Sequence, residues 1–310
     1  MKAFDIVTLT LNPSVDKSTK FTGLLPEQKI RCDEPHFDAG GGGINVSKAI
    51  SRLGGTSLCV FTSGGATGAL LEQLVADEKI DVKAIPIQKD TRENLIALET
   101  HTNAQYRFGF PGPEISDSEI DTIIKTLEQL KPKYLVASGS LNEGLSSDFY
   151  QHIAKLAKAA GSKFIADTSG EALQKVLETG VYLVKPNVGE LAKLVGVERL
   201  EIEEVDDAAR KLIDNGSAEI VVVSLGPQGA VLVTKDVTEF VPAPNVAKKS
   251  TVGAGDSMVG GMVWALSQDK SLKEVVQWGV ACGSAATMNK GTQLFKIEDA
   301  NRLFAWLRKK

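Results

Sequence analysis

From residue 4 to residue 224 the chain alternates short apolar runs with amphipathic stretches, and that alternation limits it to few architectures. Residues 4–11, 58–62, 82–87, 134–137, 163–166, 181–184 and 219–224 read as strands. Residues 45–53, with Val46, Ala49, Ile50 and Leu53 at helical spacing, read as a helix. So do residues 68–77, 116–130, 147–160, a stretch starting at Asn187, and residues 203–215. Apolar strands separated by helices need cover on both faces. The expected fold is therefore α/β, a three-layer αβα sandwich on a mainly parallel sheet. The last third adds three helices, near 255–267, 271–288 and 297–309. Residues 15–37 and 91–110 break the rhythm. They carry strand-like alternation, as at 94–100 and 105–110, with no helices between. We expect them to form a small β-sheet lid inserted in one domain that spans residues 1–310.

Size and charge narrow the function. With 310 residues, 43% of them hydrophobic, the chain has material for one large core and a small appendage. The net charge of −4 gives no overall basic excess, so a nucleic-acid partner is not expected and any anion site must be local. Asp5 interrupts the first apolar run, and no run approaches the ~20 apolar residues of a membrane helix. A cytoplasmic protein without a membrane partner is the expectation. Cys32, Cys59 and Cys282 are widely spaced and form no paired motif, so free thiols are expected rather than a zinc site.

The sharpest local signal runs from Ser250 to Ser257 and reads Ser-Thr-Val-Gly-Ala-Gly-Asp-Ser. Gly253, Ala254 and Gly255 form a glycine-rich turn that opens an apolar helix. Such a turn presents backbone N–H groups to an anion, and Asp256 beside it can take a proton from an attacking hydroxyl. The plainer reading of Asp256 is a helix cap. A second cluster, Gly40 to Gly43 followed by Ile44 and Asn45, also opens a helix. Gly41 and Gly42 let a ligand approach the backbone, and Asn45 offers a donor and an acceptor to sugar hydroxyls. The alternative there is a flexible hinge.

Lys185, Asn187 and Glu190 follow a strand, with Asn187 and Glu190 three apart on a first helical turn. That spacing is a capping box, or a pair that orders magnesium through waters; Asp167, after the strand 163–166, can add a carboxylate at the same sheet edge. Ser224, Gly226 and Gly229 lie in a turn after a strand, suited equally to a hairpin and to nucleotide contact. Asp16, Lys29, Arg31, Arg92 and Arg107 fall in the lid. Surface charges are commonly just solvated, yet several cations there suit a phosphorylated substrate. No phosphate-binding loop of the G-x-x-x-x-G-K-[ST] type and no dinucleotide fingerprint occur.

Together these motifs resemble the PfkB, or ribokinase-like, carbohydrate kinases. Residues 253–256 are similar to the family's C-terminal G-A-G-D signature, 187–190 to its N-x-x-E motif, and 40–45 to its N-terminal di-glycine motif, in order over the whole chain. The resemblance implies a ribokinase-like fold and ATP-dependent transfer of a phosphoryl group to the 1-hydroxyl of fructose 6-phosphate, with Asp256 as base and Mg2+ as cofactor. Tagatose 6-phosphate and fructose 1-phosphate are the alternative substrates. It also implies sugar-phosphate contacts from Asp16, Lys29, Gly41, Asn45, Arg92, Arg107 and Ser138. Nucleotide contacts would come from Lys185, Asn187, Ser224, Gly226 and Gly229. A monovalent-cation loop, for K+, would comprise Ser250, Val252, Ala286, Asn289 and Gly291. Two positions depart from the pattern: Gln293 stands where an arginine is expected, and Leu25 replaces an aromatic in the lid. A non-catalytic sugar or nucleotide sensor on the same fold is the contrasting reading, against which the intact Asp256 argues. Phe21, Leu24, Leu25, Ile96, Leu98, Phe108 and Phe110 give the lid more apolar surface than a flap needs, so a homodimer joined through it is expected.

Overall fold

The computed structural model describes residues 3–310. Its elements begin with β1 (Ile6–Thr10), β2 (Ser14–Phe21), β3 (His36–Gly40), α1 (Gly42–Arg52), β4 (Leu58–Ser63), α2 (Gly65–Asp77) and β5 (Asp81–Pro86). Next come β6 (Arg92–Glu99), β7 (Gln105–Gly109), α3 (Asp117–Leu130), β8 (Tyr134–Ser138), α4 (Phe149–Ala159), β9 (Lys163–Asp167), α5 (Gly170–Leu177) and β10 (Val181–Val184). The chain continues through α6 (Val188–Leu194), α7 (Val205–Asp214), β11 (Ala218–Ser224), β12 (Ala230–Val233) and β13 (Thr238–Val241). It ends with α8 (Ala254–Ser267), α9 (Leu272–Thr287) and α10 (Ile297–Leu307).

Nine strands form one sheet in the order β13-β12-β11-β10-β9-β8-β1-β4-β5. The seven from β11 to β5 run parallel, and β12 and β13 close one edge as an antiparallel meander. Side chains alternate between the two faces as strand pleating requires. Val7, Leu135, Phe164 and Val221 join the core under α3, α4, α5 and α7, whereas Ile6, Val136, Ile165 and Val222 join the core under α1, α8, α9 and α10. The expected sandwich is therefore present. Residues 170–177, 230–233 and 238–241, where the alternation indicated no element, are α5, β12 and β13.

Small residues let the second helical layer pack tightly. A Cβ on Gly260 of α8 would come within 2.5 Å of Ala49 Cβ on α1, and one on Gly261 within 2.7 Å of the Trp278 carbonyl oxygen on α9. In the same layer Trp278 stacks on Phe304 at 4.0 Å and meets Trp264 edge-on at 4.8 Å.

The lid is a second sheet, ordered β3-β2-β6-β7, in which β2 and β6 are parallel and the other pairs antiparallel. It begins at Ser14 and β3 runs on to Gly40, so the sheet leads straight into α1. Its base has its own anchorage: Val15, Ala39, Ile44, Cys59, Phe61, Leu71 and Val75 form a third buried cluster with α2 and β4. Phe21 and Ile96 are buried within the chain and Leu98 is half-buried, contrary to the expectation that all the lid's apolar residues need a partner. Leu24, Leu25, Phe108 and Phe110 remain about half exposed.

Candidate active site

β1 lies between β8 and β4, so the chain order reverses beside it, and open α/β sheets bind ligands at such a switch beyond the strand ends. The carboxyl ends of β8 and β9 place Ser138 and Asp167 there, and Asn12, Lys185 and Ser224 come from the ends of β1, β10 and β11. The N-terminus of α1 sits in the switch itself. A Cβ on Gly42 would lie 2.1 Å from Ser138 Oγ, so only glycine permits that approach. The Ile44 N–H donates to Thr10 Oγ1 at 3.0 Å and fixes the first turn on β1.

The helix α8 starts after Gly253, which is left-handed at φ 71°, a conformation glycine adopts without strain. Asp256 lies in the first turn but caps nothing, because no side chain caps this helix. Its Oδ2 instead accepts from Asn45 Nδ2 at 2.8 Å, joining two motifs 211 residues apart. Burial, and then the charge of Asp167, push the Asp256 carboxyl up from 3.8 to about 6, against the opposing pull of Asn45 and Lys185. A carboxylate in that range is a competent proton acceptor near neutral pH.

Lys185 Nζ lies 3.2 Å from Asp167 Oδ1 and close to Gly255, where a Cβ would be 3.6 Å away. Burial alone would lower the lysine's pKa; Asp167, Asp256 and Glu190 more than offset it, so the ammonium stays charged beside the anion turn. Asn187 and Glu190 form the capping box: Glu190 N donates to Asn187 Oδ1 and Asn187 N donates to Glu190 Oε2, both at 2.9 Å. Ser138, expected at the sugar, lies at the same sheet edge. It is buried, and its hydroxyl donates to Asp167 Oδ2 at 2.9 Å, bracing that carboxylate. The exposed Ser140, two residues on, instead accepts from Asn12 Nδ2 at 3.1 Å.

On the lid side, Asp16 Oδ1 accepts from Ser14 Oγ at 2.7 Å and from Asn94 Nδ2 at 2.9 Å. Gly40 packs against the other oxygen, since a Cβ there would lie 2.6 Å from Asp16 Oδ2. Arg92 donates to the carbonyls of Phe110 and Asn12, both at 3.1 Å, while its Nε is buried without a partner. Arg107 is exposed; it reaches Gln105 and, at 3.5 Å, the Thr251 hydroxyl next to the anion turn. Lys29 and Arg31 are exposed in the β2–β3 connection and form no side-chain bond among the described residues. Sequence reading missed Asn12, Ser14 and Asn94, whose partners lie as far as 129 residues away or on an adjoining strand.

A cavity of about 470 Å3 opens beside the anion turn. Ser224, Gly226, Gly229, Ala254 and Gly255 line it, with Pro244, Val246, Met258 and Val280 as apolar walls. Gly283, Ser284 and Thr287 also line it, and their small side chains on one face of α9 were the signal that could have located this wall. Behind the turn, Ser250 Oγ donates to the Gly291 carbonyl at 2.7 Å and accepts from Val252 N at 3.2 Å. Lys249 N and Ser250 N both donate to Thr287 O, and Asn289 N donates to Ala286 O, so the proposed cation-loop residues do converge. Gln293 is exposed nearby.

Residues 3–300 match the model of the pfkB family carbohydrate kinases. The ATP-dependent 6-phosphofructokinase isozyme 2 of Escherichia coli (strain K12) is 43% identical over 304 residues, covering 97% of this chain and 98% of that protein. A 1-phosphofructokinase of Bacillus subtilis is 33% identical over 296 residues (94% and 95%), and a tagatose-6-phosphate kinase of Staphylococcus epidermidis 32% over 304 (96% and 97%). Crystal structures of the phosphofructokinase-2 from Escherichia coli superpose with TM-scores of 0.95, in complex with potassium, and 0.93, in complex with fructose-6-phosphate. They are 42% and 41% identical and cover 98% of this chain and 99% of theirs. A further structure is of a tetrameric inhibited form of that enzyme.

Proposed function

The chain belongs to the pfkB family of carbohydrate kinases, and on that premise we propose that it transfers the γ-phosphoryl group of ATP to the 1-hydroxyl of fructose 6-phosphate. The observation that carries the chemistry is the 2.8 Å bond between Asn45 and Asp256 at the mouth of the anion turn. It sets a carboxylate with a pKa of about 6 between a sugar-binding helix and a phosphoryl-binding one. Asp256 takes the proton of the attacking hydroxyl. Backbone N–H groups of Ala254 and Gly255, with Lys185, receive the charge on the phosphoryl oxygens. Asp16, Gly41 and Asn45 hold the sugar hydroxyls, and Arg92 and Arg107 face its phosphate. The nucleotide occupies the 470 Å3 cavity.

Among the described residues no group of three or more His, Cys, Asp or Glu gathers as a metal cage. Asp167 and Glu190, both near enough to Lys185 to raise its pKa, suit magnesium, which keeps most of its water and takes phosphate oxygens. Bound there, it would neutralise charge on the nucleotide phosphates. The converging 250–252 and 286–291 segments suit potassium, a reading supported by the potassium complex of a 42% identical enzyme.

The choice of fructose 6-phosphate rests on identity, 43% to a 6-phosphofructokinase against 33% to a 1-phosphofructokinase. No helix among the described residues is long and apolar enough to cross a membrane, and a cytoplasmic location accords with ATP and sugar-phosphate chemistry. Leu24, Leu25, Phe108 and Phe110 support a homodimer through the lid, which would carry Lys29 or Arg31 toward the neighbouring site. Purified protein assayed for ADP release with fructose 6-phosphate, tagatose 6-phosphate and fructose 1-phosphate tests the reading. The highest kcat/KM is expected for fructose 6-phosphate. A preference for either other sugar overturns the substrate, and no turnover with any sugar favours a sensor.

A further inference from the structure

Asp38 stands midway along β3, directly across from Asp16 of β2 in the antiparallel register. Cross-strand partners share a face, so two carboxylates stand side by side and repel. Asp38 has partners of its own: the Thr292 hydroxyl donates to Oδ2, and His36 Nε2 lies 3.2 Å from Oδ1. Thr292 belongs to the segment between α9 and α10. That segment touches the anion turn at two points: the Gly291 carbonyl accepts from Ser250 Oγ, and buried Leu294 packs under Gly253, where a Cβ would meet Leu294 Cδ2 at 2.7 Å. Its far end is clamped to α1, the helix that carries Asn45, because Arg52 donates to the Phe295 carbonyl at 2.8 Å. The segment is thus a wedge between the lid and the catalytic turn. Thr292 on Asp38 is its one side-chain hydrogen bond to the lid sheet among the described residues. The direct lid contact to the turn, Arg107 on Thr251, is long and exposed.

We propose that Asp38 and Thr292 are a positioning pair that couples sugar-phosphate binding at the lid to nucleotide binding at the anion turn. The proposal rests on the kinase reading above. A sugar that fixes Asp16 fixes the β2–β3 pair, and Asp38 passes that constraint through Thr292 to Gly291 and Ser250. Coupling of this kind is reciprocal, with each ligand tightening the other by the same factor, about 5–150-fold in known cases.

Calorimetric titration of fructose 6-phosphate, with and without a non-hydrolysable ATP analogue and magnesium, measures that factor. Thr292→Val removes the hydroxyl at nearly constant volume and is expected to lower the coupling at least about 5-fold while each ligand alone binds within about 2-fold of wild type. Thr292→Ser is expected to restore it. Hydrogen exchange at residues 250–256 gives a second readout: sugar phosphate alone slows it in wild type and leaves it unchanged in Thr292→Val. Coupling undiminished in Thr292→Val, or equally lost in Thr292→Ser, overturns the proposal. So do wild-type ligands that bind without coupling. Failure of the wild type to bind any sugar phosphate overturns the kinase reading as well. If Thr292→Val does not fold, Asp38→Asn, which removes the charge and keeps an acceptor, is expected to weaken coupling partially, and unaltered coupling there refutes the pair.

Discussion

Replacing Asp256 with asparagine is expected to destroy turnover and, at the same time, to make the protein more stable. Folding moves this carboxyl from 3.8 up to about 6 because it is buried beside Asp167. A pKa raised on folding means that the native state binds the proton more tightly than the unfolded chain. Stability contributed by this group is therefore lost as pH rises through the window from 3.8 to about 6, and the full deficit is present above it. The interval corresponds to roughly 3 kcal/mol at neutral pH, and with partial solvent access between about 1 and 3 kcal/mol. Asparagine keeps the shape and an acceptor for Asn45 Nδ2 but has no charge to desolvate. For a chain of this size that gain is roughly 2–6 °C in Tm. Loss of the general base costs ~10²–10⁴-fold in kcat. Thermal melts of both proteins at pH 8, 5 and 4, with parallel kcat measurements, provide the assay. The stability gain is expected to fall by about half at pH 5 and to about a fifth at pH 4, as the wild-type carboxyl takes up its proton. A variant no more stable than wild type at pH 8, or a gain that persists unchanged on acidification, refutes the argument, as does retention of half the wild-type kcat.

The same carboxyl sets the acid limb of the rate profile: kcat is expected to fall as pH drops through about 6, to about a tenth of its plateau at pH 5, whereas an inflection near 3.8 contradicts the assignment. Arg92→Ala is expected to raise KM for the sugar phosphate about 10–150-fold, with KM for ATP little changed, from loss of a charge-assisted contact worth roughly 1.5–3 kcal/mol. An effect confined to ATP would give this arginine to the nucleotide. Leu25→Asp combined with Phe108→Asp, both about half exposed in the lid, is expected to shift the protein toward monomer in light scattering across a dilution series, and an unchanged mass places the interface elsewhere.

The layers were legible because strands buried on both faces appear in sequence as unbroken apolar runs, as in Ile220 to Val223. The helix α5 was not, because turn-forming Thr168 and Ser169 precede it and Gly170 opens it, masking a helix of only 8 residues whose buried face is Ala172, Leu173, Val176 and Leu177. In the site, the glycine turns and the Asn187–Glu190 spacing showed in the sequence, since each is local. What each spacing was for did not: Asp256 could have been a cap, and only the fold shows its side chain on Asn45. The direction of the Ser138 side chain is decided by strand pleating, which sends it under Gly42 onto Asp167, a contact that no local pattern shows. The polar mesh of Ser14, Asn94 and Asp16 depends on β2 pairing with β6, a register that no local pattern encodes, and Asn12 finds Ser140 and Leu141 across the switch between β1 and β8.

The close-packed helical layer also determines what light can report about this molecule. All three tryptophans, Trp264, Trp278 and Trp306, lie in α8, α9 and α10, and the lid has none. Tryptophan emission, excited apart from the lid's Tyr106, is therefore blind to the lid's own movement and follows the integrity of that one layer. Yet Trp264 shares α8 with Asp256, a little over two turns along. A change in tryptophan emission on adding sugar phosphate alone would mean that this helical layer, and not only the lid, had responded.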